Sequence, residues 1–145
     1  MGFTDQLDRL RFDHYTLTVT IATIERGGIT SQPRTYQFLA PVDAWGFPKY
    51  PSKTMIVAPE MDLNQAIRSF LTTHAHAFDE PNTWFGTWIN PQTQHCYLDI
   101  TTSHPDLGEA QCMAQRISQR EGRKIVALYN TLRNQTVYLW NDLLM

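Results

Sequence analysis

Charge is scarce in this sequence. Only 18% of its 145 residues are Asp, Glu, Lys or Arg, whereas an ordinary globular domain has about a quarter. The 12 basic and 14 acidic residues leave a formal net charge of −2. This balance excludes both the strongly basic surface that is typical of nucleic-acid-binding domains and the acidic composition of a solvating tail.

Cysteine and long apolar runs are also rare. The two cysteines, Cys96 and Cys112, are typical of a reduced intracellular protein with ordinary thiols. The sequence has no run of about 18 apolar residues, so no membrane span is predicted. The acidic start at Asp5 and Asp8 is unlike a signal peptide. We therefore expect a cytoplasmic protein with no membrane association, folded as a single domain over residues 1–145.

Motifs of catalysis and metal binding are missing as well. The sequence contains no Gly-x-Ser-x-Gly nucleophile elbow, no phosphate-binding loop and no Cys-x-x-Cys pair. The segment His74-Ala75-His76 lacks the His-x-Glu of zinc deaminases. We expect no metal and no cofactor, and the sequence favours a protein that is not an enzyme.

Aromatic residues, by contrast, are abundant at 12%, and they cluster in two places. The first cluster lies in the Pro-rich segment 41–54, which we predict to be a loop that packs down or binds a partner. Its members are Trp45, Phe47 and Tyr50. In the second cluster, Trp84 and Trp88 share one face of a predicted strand, while Phe85 points to the other.

Alternating and helical patterns together predict an α+β fold. Residues 14–25 alternate Thr with Leu, Val and Ile and predict a strand, preceded by a short helical turn. Two helices are predicted to begin at Asp62 and Asp106, which have capping-box spacing, and Gly122 ends the second. The remaining predicted strands are 34–40, 54–58, 84–89, 96–101, 124–129 and 135–140. The predicted order is β-β-β-α-β-β-α-β-β, a mostly antiparallel sheet with two helices on one face.

Residues 84–139 resemble a cassette found in small uncharacterised proteins of phages and mobile elements. The cassette reads Trp-x-Asn-Pro-x-Thr, then Tyr-Leu-Asp-Ile, then a helix and a hydrophobic strand. The matching positions are Trp88, Asn90, Pro91, Thr93, Tyr97, Leu98, Asp99, Glu109, Ala110, Ala114 and Ile125–Tyr129. The sequence departs from the pattern at Gln94, where the similar proteins often have Gly. The resemblance implies an accessory protein of a phage or plasmid and implies no enzymatic activity.

Basic residues gather late in the chain and form a second candidate surface. Arg116 and Arg120 are spaced to share one helix face, and Arg123 and Lys124 follow them. Acids at the start and bases at the end of this helix also fit simple complementarity with its dipole.

Three functional hypotheses follow. The first is a protein-binding module that occludes a surface of a host complex, such as a host-defence complex, or that forms a homodimer. Its predicted contact residues are Trp45, Phe47, Tyr50, Trp88, Arg116, Arg120, Arg123 and Lys124. The second is a small-ligand or nucleotide-binding protein, or a small enzyme, with a pocket around Asp99, His95 and His104. The third, which the sequence does not favour, is weak nucleic-acid binding through the basic residues between 116 and 133.

Overall fold

Three helices pack against one face of a curved antiparallel sheet in the computed structural model, which describes residues 2–140. The helices are α1 (Phe3–Arg26), α2 (Leu63–Thr73) and α3 (Leu107–Glu121). The strands are β1 (Gly28–Gln32), β2 (Gln37–Phe38), β3 (Trp45–Pro48), β4 (Met55–Val57), β5 (Trp84–Ile89), β6 (Cys96–His104), β7 (Ala127–Asn130) and β8 (Gln135–Tyr138). Short 3-10 helices cover Pro51–Lys53 and Ala75–Asp79. The predicted α+β class and antiparallel sheet are confirmed.

The sheet has the strand order β2-β1-β5-β6-β3-β7-β8 and curves into a half-barrel. Strand β6 lies at its centre and pairs with β5 from Cys96 to Thr101 along one edge. Along its other edge β6 pairs first with β4 and then with β3. Hairpins join β5 to β6 and β7 to β8, which are the last four predicted strands, and β6 runs three residues beyond its predicted end at residue 101.

Helices α2 and α3 begin where the capping pattern predicts. The Asp62 carboxylate accepts a hydrogen bond from the Gln65 backbone N–H at 3.1 Å, and Asp106 accepts one from Glu109 at 2.8 Å. These bonds satisfy N–H groups that the first turn of a helix leaves without partners. Gly122 ends α3 with a left-handed φ of 71°, as predicted.

The prediction of a strand over residues 14–25 is wrong, because these residues form half of the 24-residue helix α1. Threonine is a poor helix former partly because its hydroxyl competes for backbone groups. Here the Thr20 and Thr23 hydroxyls instead donate to the carbonyls one turn earlier, Thr16 and Val19, both at 2.7 Å. The Thr23 hydroxyl also lies 2.6 Å from that of Thr87, so β5 holds the helix in place.

The Pro-rich segment 41–54 is not a simple loop. Residues Trp45–Pro48 form β3, which lies between β6 and β7 in the middle of the sheet. Prolines mark the end of this strand and the start of the 3-10 helix that follows, so they bound regular structure here and do not prevent it. With α1 added and β3 in place, the element order is α-β-β-β-β-α-β-β-α-β-β, which corrects the predicted order.

One face of the sheet, which we call the covered face, packs under all three helices. Its central side chains are at most 1% exposed; they are Phe85, Leu98, Ile100 and Leu128. Helices α1 and α2 cover the β5–β6 half, and α3 covers the β3–β7 half. Within residues 2–140, no helix is both long and apolar enough to cross a membrane.

Candidate functional site

The opposite side of the sheet, which we call the open face, is not covered by any helix of residues 2–140. Side chains alternate along each strand, so every second residue of β5 and β6 points away from the core. The burial pattern follows this alternation, with odd-numbered β6 residues half-buried and their even-numbered neighbours up to Thr102 buried. The central residues of the open face are Thr30, Gly46, Trp84, Gly86, Trp88, Tyr97, Asp99, Thr101, Ser103 and Tyr129.

Curvature turns the open face into a cleft. Thr30 on β1 and Thr136 on β8 line the same cleft, although four strands lie between β1 and β8 in the sheet order. The empty space within it is about 830 Å³, a figure that includes space open to solvent. Within this space, the centre of a water-sized sphere can occupy only about 100 Å³, so the cleft is narrow.

Aromatic rings form one wall of the cleft. The β5–β6 register places Trp88 opposite Tyr97, and their rings lie 5.4 Å apart with planes inclined at 57°. Trp84, two positions beyond Gly86 on the same strand, is opposite Thr101. Gly86, between the two tryptophans, allows the Thr101 side chain to approach β5 closely, because a Cβ atom there would clash with the Thr101 hydroxyl.

Asp99 provides the one carboxyl group of the cleft and lies directly opposite Gly86. Its Oδ1 accepts a hydrogen bond from the Thr54 hydroxyl at 2.6 Å, and Arg123 in turn donates to the Thr54 carbonyl at 3.0 Å. Burial raises the pKa of Asp99 from 3.8 to about 6, although the Thr54 hydrogen bond and the Arg123 charge act in the opposite direction. The group is therefore ionised at neutral pH and protonated in mild acid.

The electrostatic character of the cleft depends on this single carboxyl. Among the lining residues, all within the described range 2–140, none is Lys, Arg or His, and Asp99 is the only acid. The other polar atoms come mainly from the hydroxyls of Thr30, Thr101 and Ser103. The cleft thus offers apolar surface, hydroxyls and one anion.

Of the predicted contact residues, Trp88 alone lies on the open face. Trp45 and Phe47 are 3% and 2% exposed, beneath Ala110 and Ala114 of α3, so their assignment to a partner surface is corrected. They alternate with Gly46, and the two-residue period of β3 directs both aromatic side chains to the covered face.

Tyr50 lies in a cluster of mixed charge at the end of α3. Its hydroxyl donates to Glu80 at 2.6 Å, and Lys53 lies 5.0 Å from its ring centre. The predicted basic group is divided among several roles. Arg116 and Arg120 are exposed on α3, Arg123 is held by the Thr54 carbonyl, and Lys124 lies over the Trp140 ring.

The predicted grouping of Asp99 with His95 and His104 does not occur. His104 is an even-numbered residue of β6 and points away from the open face, where its Nε2 pairs with Glu109 at 2.8 Å. His95 lies before β6, in the hairpin turn. Each is four or five residues from Asp99 along an extended strand, which corresponds to about 13–17 Å.

Four residues of the cleft were not among the predicted site residues, although a signal for them was present: Trp84, Gly86, Tyr97 and Thr101. Tyr97, Asp99 and Thr101 alternate with Leu98 and Ile100, a period of two that assigns all three to one face. Pairing β6 with β5 across the hairpin turn would then have placed them opposite Trp88, Gly86 and Trp84. Thr54 and Arg123 carried no such signal, because they reach Asp99 only through the tertiary fold.

Comparison with known proteins gives no further guide to this site. No protein-family model, no curated protein and no solved structure matches the chain.

Proposed function

We propose that the chain is a binding protein whose cleft takes a small cationic ligand with an aromatic or extended apolar body. The observation that carries the proposal is the placement of one half-buried carboxyl, Asp99, beside the aromatic wall formed by Trp84, Trp88 and Tyr97. Rings of this kind supply apolar contact area and attract cations over their faces.

An amine is the group that best satisfies Asp99. The carboxylate has a hydrogen bond from Thr54, and each carboxylate oxygen can accept more than one. An ammonium group donating to it would return much of the solvation that burial removes, and such charge-assisted bonds are stronger than neutral ones. The raised pKa of Asp99 reflects this loss of solvation of the carboxylate on burial.

The same electrostatics disfavour acidic ligands. A nucleotide or another phosphate ester would enter a cleft that has no basic side chain among its described lining residues. It would also meet the Asp99 carboxylate. We therefore propose an amine rather than a nucleotide for this cleft.

A matched series of probes tests the proposal. Naphthylmethylamine, naphthylmethanol and naphthoate share one ring system and differ in the group that would reach Asp99. Binding is followed at pH 7.5 by the indole N–H signals in NMR spectra. We expect the amine to move the signals of Trp84 and Trp88 and to bind at least about tenfold more tightly than the acid, while Trp45 in the core stays unchanged.

Asp99→Asn is the decisive variant. It should remove the preference for the amine over the alcohol while leaving the alcohol bound, and Asp79→Asn, a surface carboxylate paired with Arg34, should change neither. Affinity for the amine should also fall as the pH drops through about 6, because Asp99 is then protonated. The proposal is wrong if no probe moves the Trp84 and Trp88 signals, or if the amine preference survives Asp99→Asn.

A protein partner on the same face is the second candidate, as the sequence led us to expect. The observation in its favour is an apolar rim beyond the cleft. Ile56, which is paired with Tyr97, is 42% exposed, and Tyr138 on β8 is 44% exposed. A phage-type or mobile-element protein could use such a face to occlude a surface of a host complex.

A pull-down from host lysate separates this candidate from the first. Loss of a captured protein on both Trp88→Ala and Ile56→Glu, with retention on Arg116→Glu, would favour a protein partner on the open face. Retention by all three variants would remove the open face as the contact surface.

A further inference from the structure

We infer that α1 mediates self-association through a second, outward-facing apolar surface, independently of the cleft. Apolar residues recur along this helix at alternating spacings of four and three. They are Phe3, Leu7, Leu10, Leu17, Ile21 and Ile24, with His14 at the one remaining position. This is the heptad repeat of a coiled coil, sustained over three heptads. We call these seven residues the heptad stripe.

The heptad stripe faces away from the protein's own core. Its six apolar side chains are between 45% and 86% exposed. Helix α1 packs on the sheet through a different set of residues, including Tyr15, Val19 and Thr23, which are at most 2% exposed. The helix therefore has two apolar faces, and residues 2–140 of its own chain cover only one of them.

The first part of α1 has almost no support from the rest of the chain. Every residue from Phe3 to Arg11 is exposed, which amounts to more than two turns of helix. Isolated helical segments this short are marginal in water. A partner helix along the heptad stripe would supply the tertiary packing that this segment lacks.

A second copy of this chain is the occupant that fits the heptad stripe. A 3.5-residue apolar repeat is complementary to another helix with the same repeat, which a two-fold related copy provides. Pairing along the stripe would remove from water six apolar side chains per protomer, each at least 45% exposed in the single chain. A groove lined by Leu10, His14 and Phe38 lies beside the stripe and extends the contact to β2.

The charges of α1 favour a second copy over a membrane surface. The helix carries four acids and three arginines, so it lacks the basic polar face of a membrane-bound amphipathic helix. Mixed charges suit the flanks of a helix pair. His14, as one polar residue within the seam, would cost some stability and favour one alignment of the two helices.

Sedimentation velocity of the full chain across a wide concentration range tests the inference. We expect a reversible dimer that the double variant Leu10→Glu/Leu17→Glu weakens at least about 100-fold, because two charges per protomer would enter the seam. Arg9→Gln changes the charge by the same amount per site on an exposed position outside the stripe and should leave the dimer intact. His14→Leu should tighten the dimer about tenfold.

Circular dichroism measures whether the Glu variant is folded, and the naphthylmethylamine titration measures whether its cleft still binds the probe. Loss of the dimer can therefore be distinguished from unfolding and from loss of the cleft. Both Glu substitutions are at exposed positions, so the variant should stay folded and bind the probe like the wild type. A wild-type chain that stays monomeric at every concentration would overturn the inference, and so would a dimer that both Glu substitutions leave unchanged. Binding of the monomer to phosphatidylcholine–phosphatidylglycerol vesicles would overturn it in favour of a membrane surface.

Discussion

The two faces of the sheet are made from the same strands but have different chemistry. Along β6, Leu98 and Ile100 are fully enclosed under α1 and α2, while Tyr97 and Asp99 between them line the cleft. Along β5, Phe85 is buried and its neighbour Trp84 is half-buried. The covered face is apolar and closely packed, and the open face combines aromatic rings with hydroxyl groups and one carboxyl.

This contrast separates the residues that hold the fold from those that are free to bind. A side chain on the covered face contributes to the free energy of unfolding through burial and packing. A side chain on the open face contributes less to stability, so its size and polarity can serve recognition. Substituting neighbouring residues of one strand should therefore give different phenotypes.

The largest expected effect comes from breaking the covered face. Leu98→Ala removes a fully buried side chain and leaves a cavity, so we expect a loss of about 2–5 kcal/mol in the free energy of unfolding by urea denaturation. Tyr97→Ala, one residue away on the open face, should cost about 1 kcal/mol and weaken probe binding. Equal losses for the two variants would contradict the division between faces.

The next effect is a pH dependence that the Asp99 carboxyl of the open face should cause. The pKa of Asp99 is raised to about 6 in the folded chain from 3.8, so the folded state holds more protons than the unfolded state between those values. The stability associated with this group is complete below pH 3.8 and is lost as the pH rises through 6. Asp99→Asn should therefore gain stability over the wild type by at most about 3 kcal/mol between pH 4 and pH 7.

Thr54→Val sharpens this test. It removes the hydrogen bond that lowers the pKa of Asp99, so the carboxyl should titrate at a higher pH in carbon-detected NMR spectra. A stability difference between Asp99→Asn and the wild type that stays flat from pH 4 to pH 7 would show that burial does not perturb this carboxyl.

A smaller effect should come from filling the floor of the cleft. An alanine Cβ at position 86 would meet the Thr101 hydroxyl, so Gly86→Ala should cost about 1–2 kcal/mol and reduce probe affinity. Gly46→Ala is the matched control for stability, because its Cβ would lie 3.5 Å from the Thr101 Cγ2, an ordinary contact. Thermal unfolding measures stability and the naphthylmethylamine titration measures probe affinity; an equal loss of stability for both glycines would argue against the described floor.

The smallest effect lies outside both faces, in the turn that sets the β5–β6 pairing. Gln94 has a φ of 63°, in the left-handed region that favours glycine. Gln94→Gly should stabilise the chain by about 0.5–1 kcal/mol in urea denaturation, since the relief of strain exceeds the added chain entropy. Gln92→Gly in the same turn, where φ is not positive, should not stabilise it.

The second half of the chain was largely predictable, because its signals are local. Asp62 and Asp106 cap their helices through bonds to backbone three residues away, and Gly122 ends α3 by its own conformation. Residues 14–25 were predicted as a strand because Thr alternates there with aliphatic residues. The same residues also fit the spacing of a helix, which is what they form. The four-and-three spacing from Phe3 to Ile24 was the better signal, since no strand needs it.

The candidate site was only partly predictable. Asp99 and Trp88 were found from residue type and strand position, but their common face depends on the hairpin register. Trp45 and Phe47 were misassigned because Pro and Gly suggested a loop, whereas the pairing partners of β3 lie more than 50 residues away in β6. Contacts of that separation leave no local pattern in the sequence.

The position of Asp99 in the middle of β6 also bears on how accurately the chain folds. A strand that slips by one residue against its neighbours exchanges the side chains of its two faces. For β6, such a slip would drive the Asp99 carboxylate under α1 and α2 and bring Leu98 and Ile100 into water. An unpaired carboxylate in that core would cost several kcal/mol, so the residue proposed to bind a ligand also selects a single alignment of the central strand during folding.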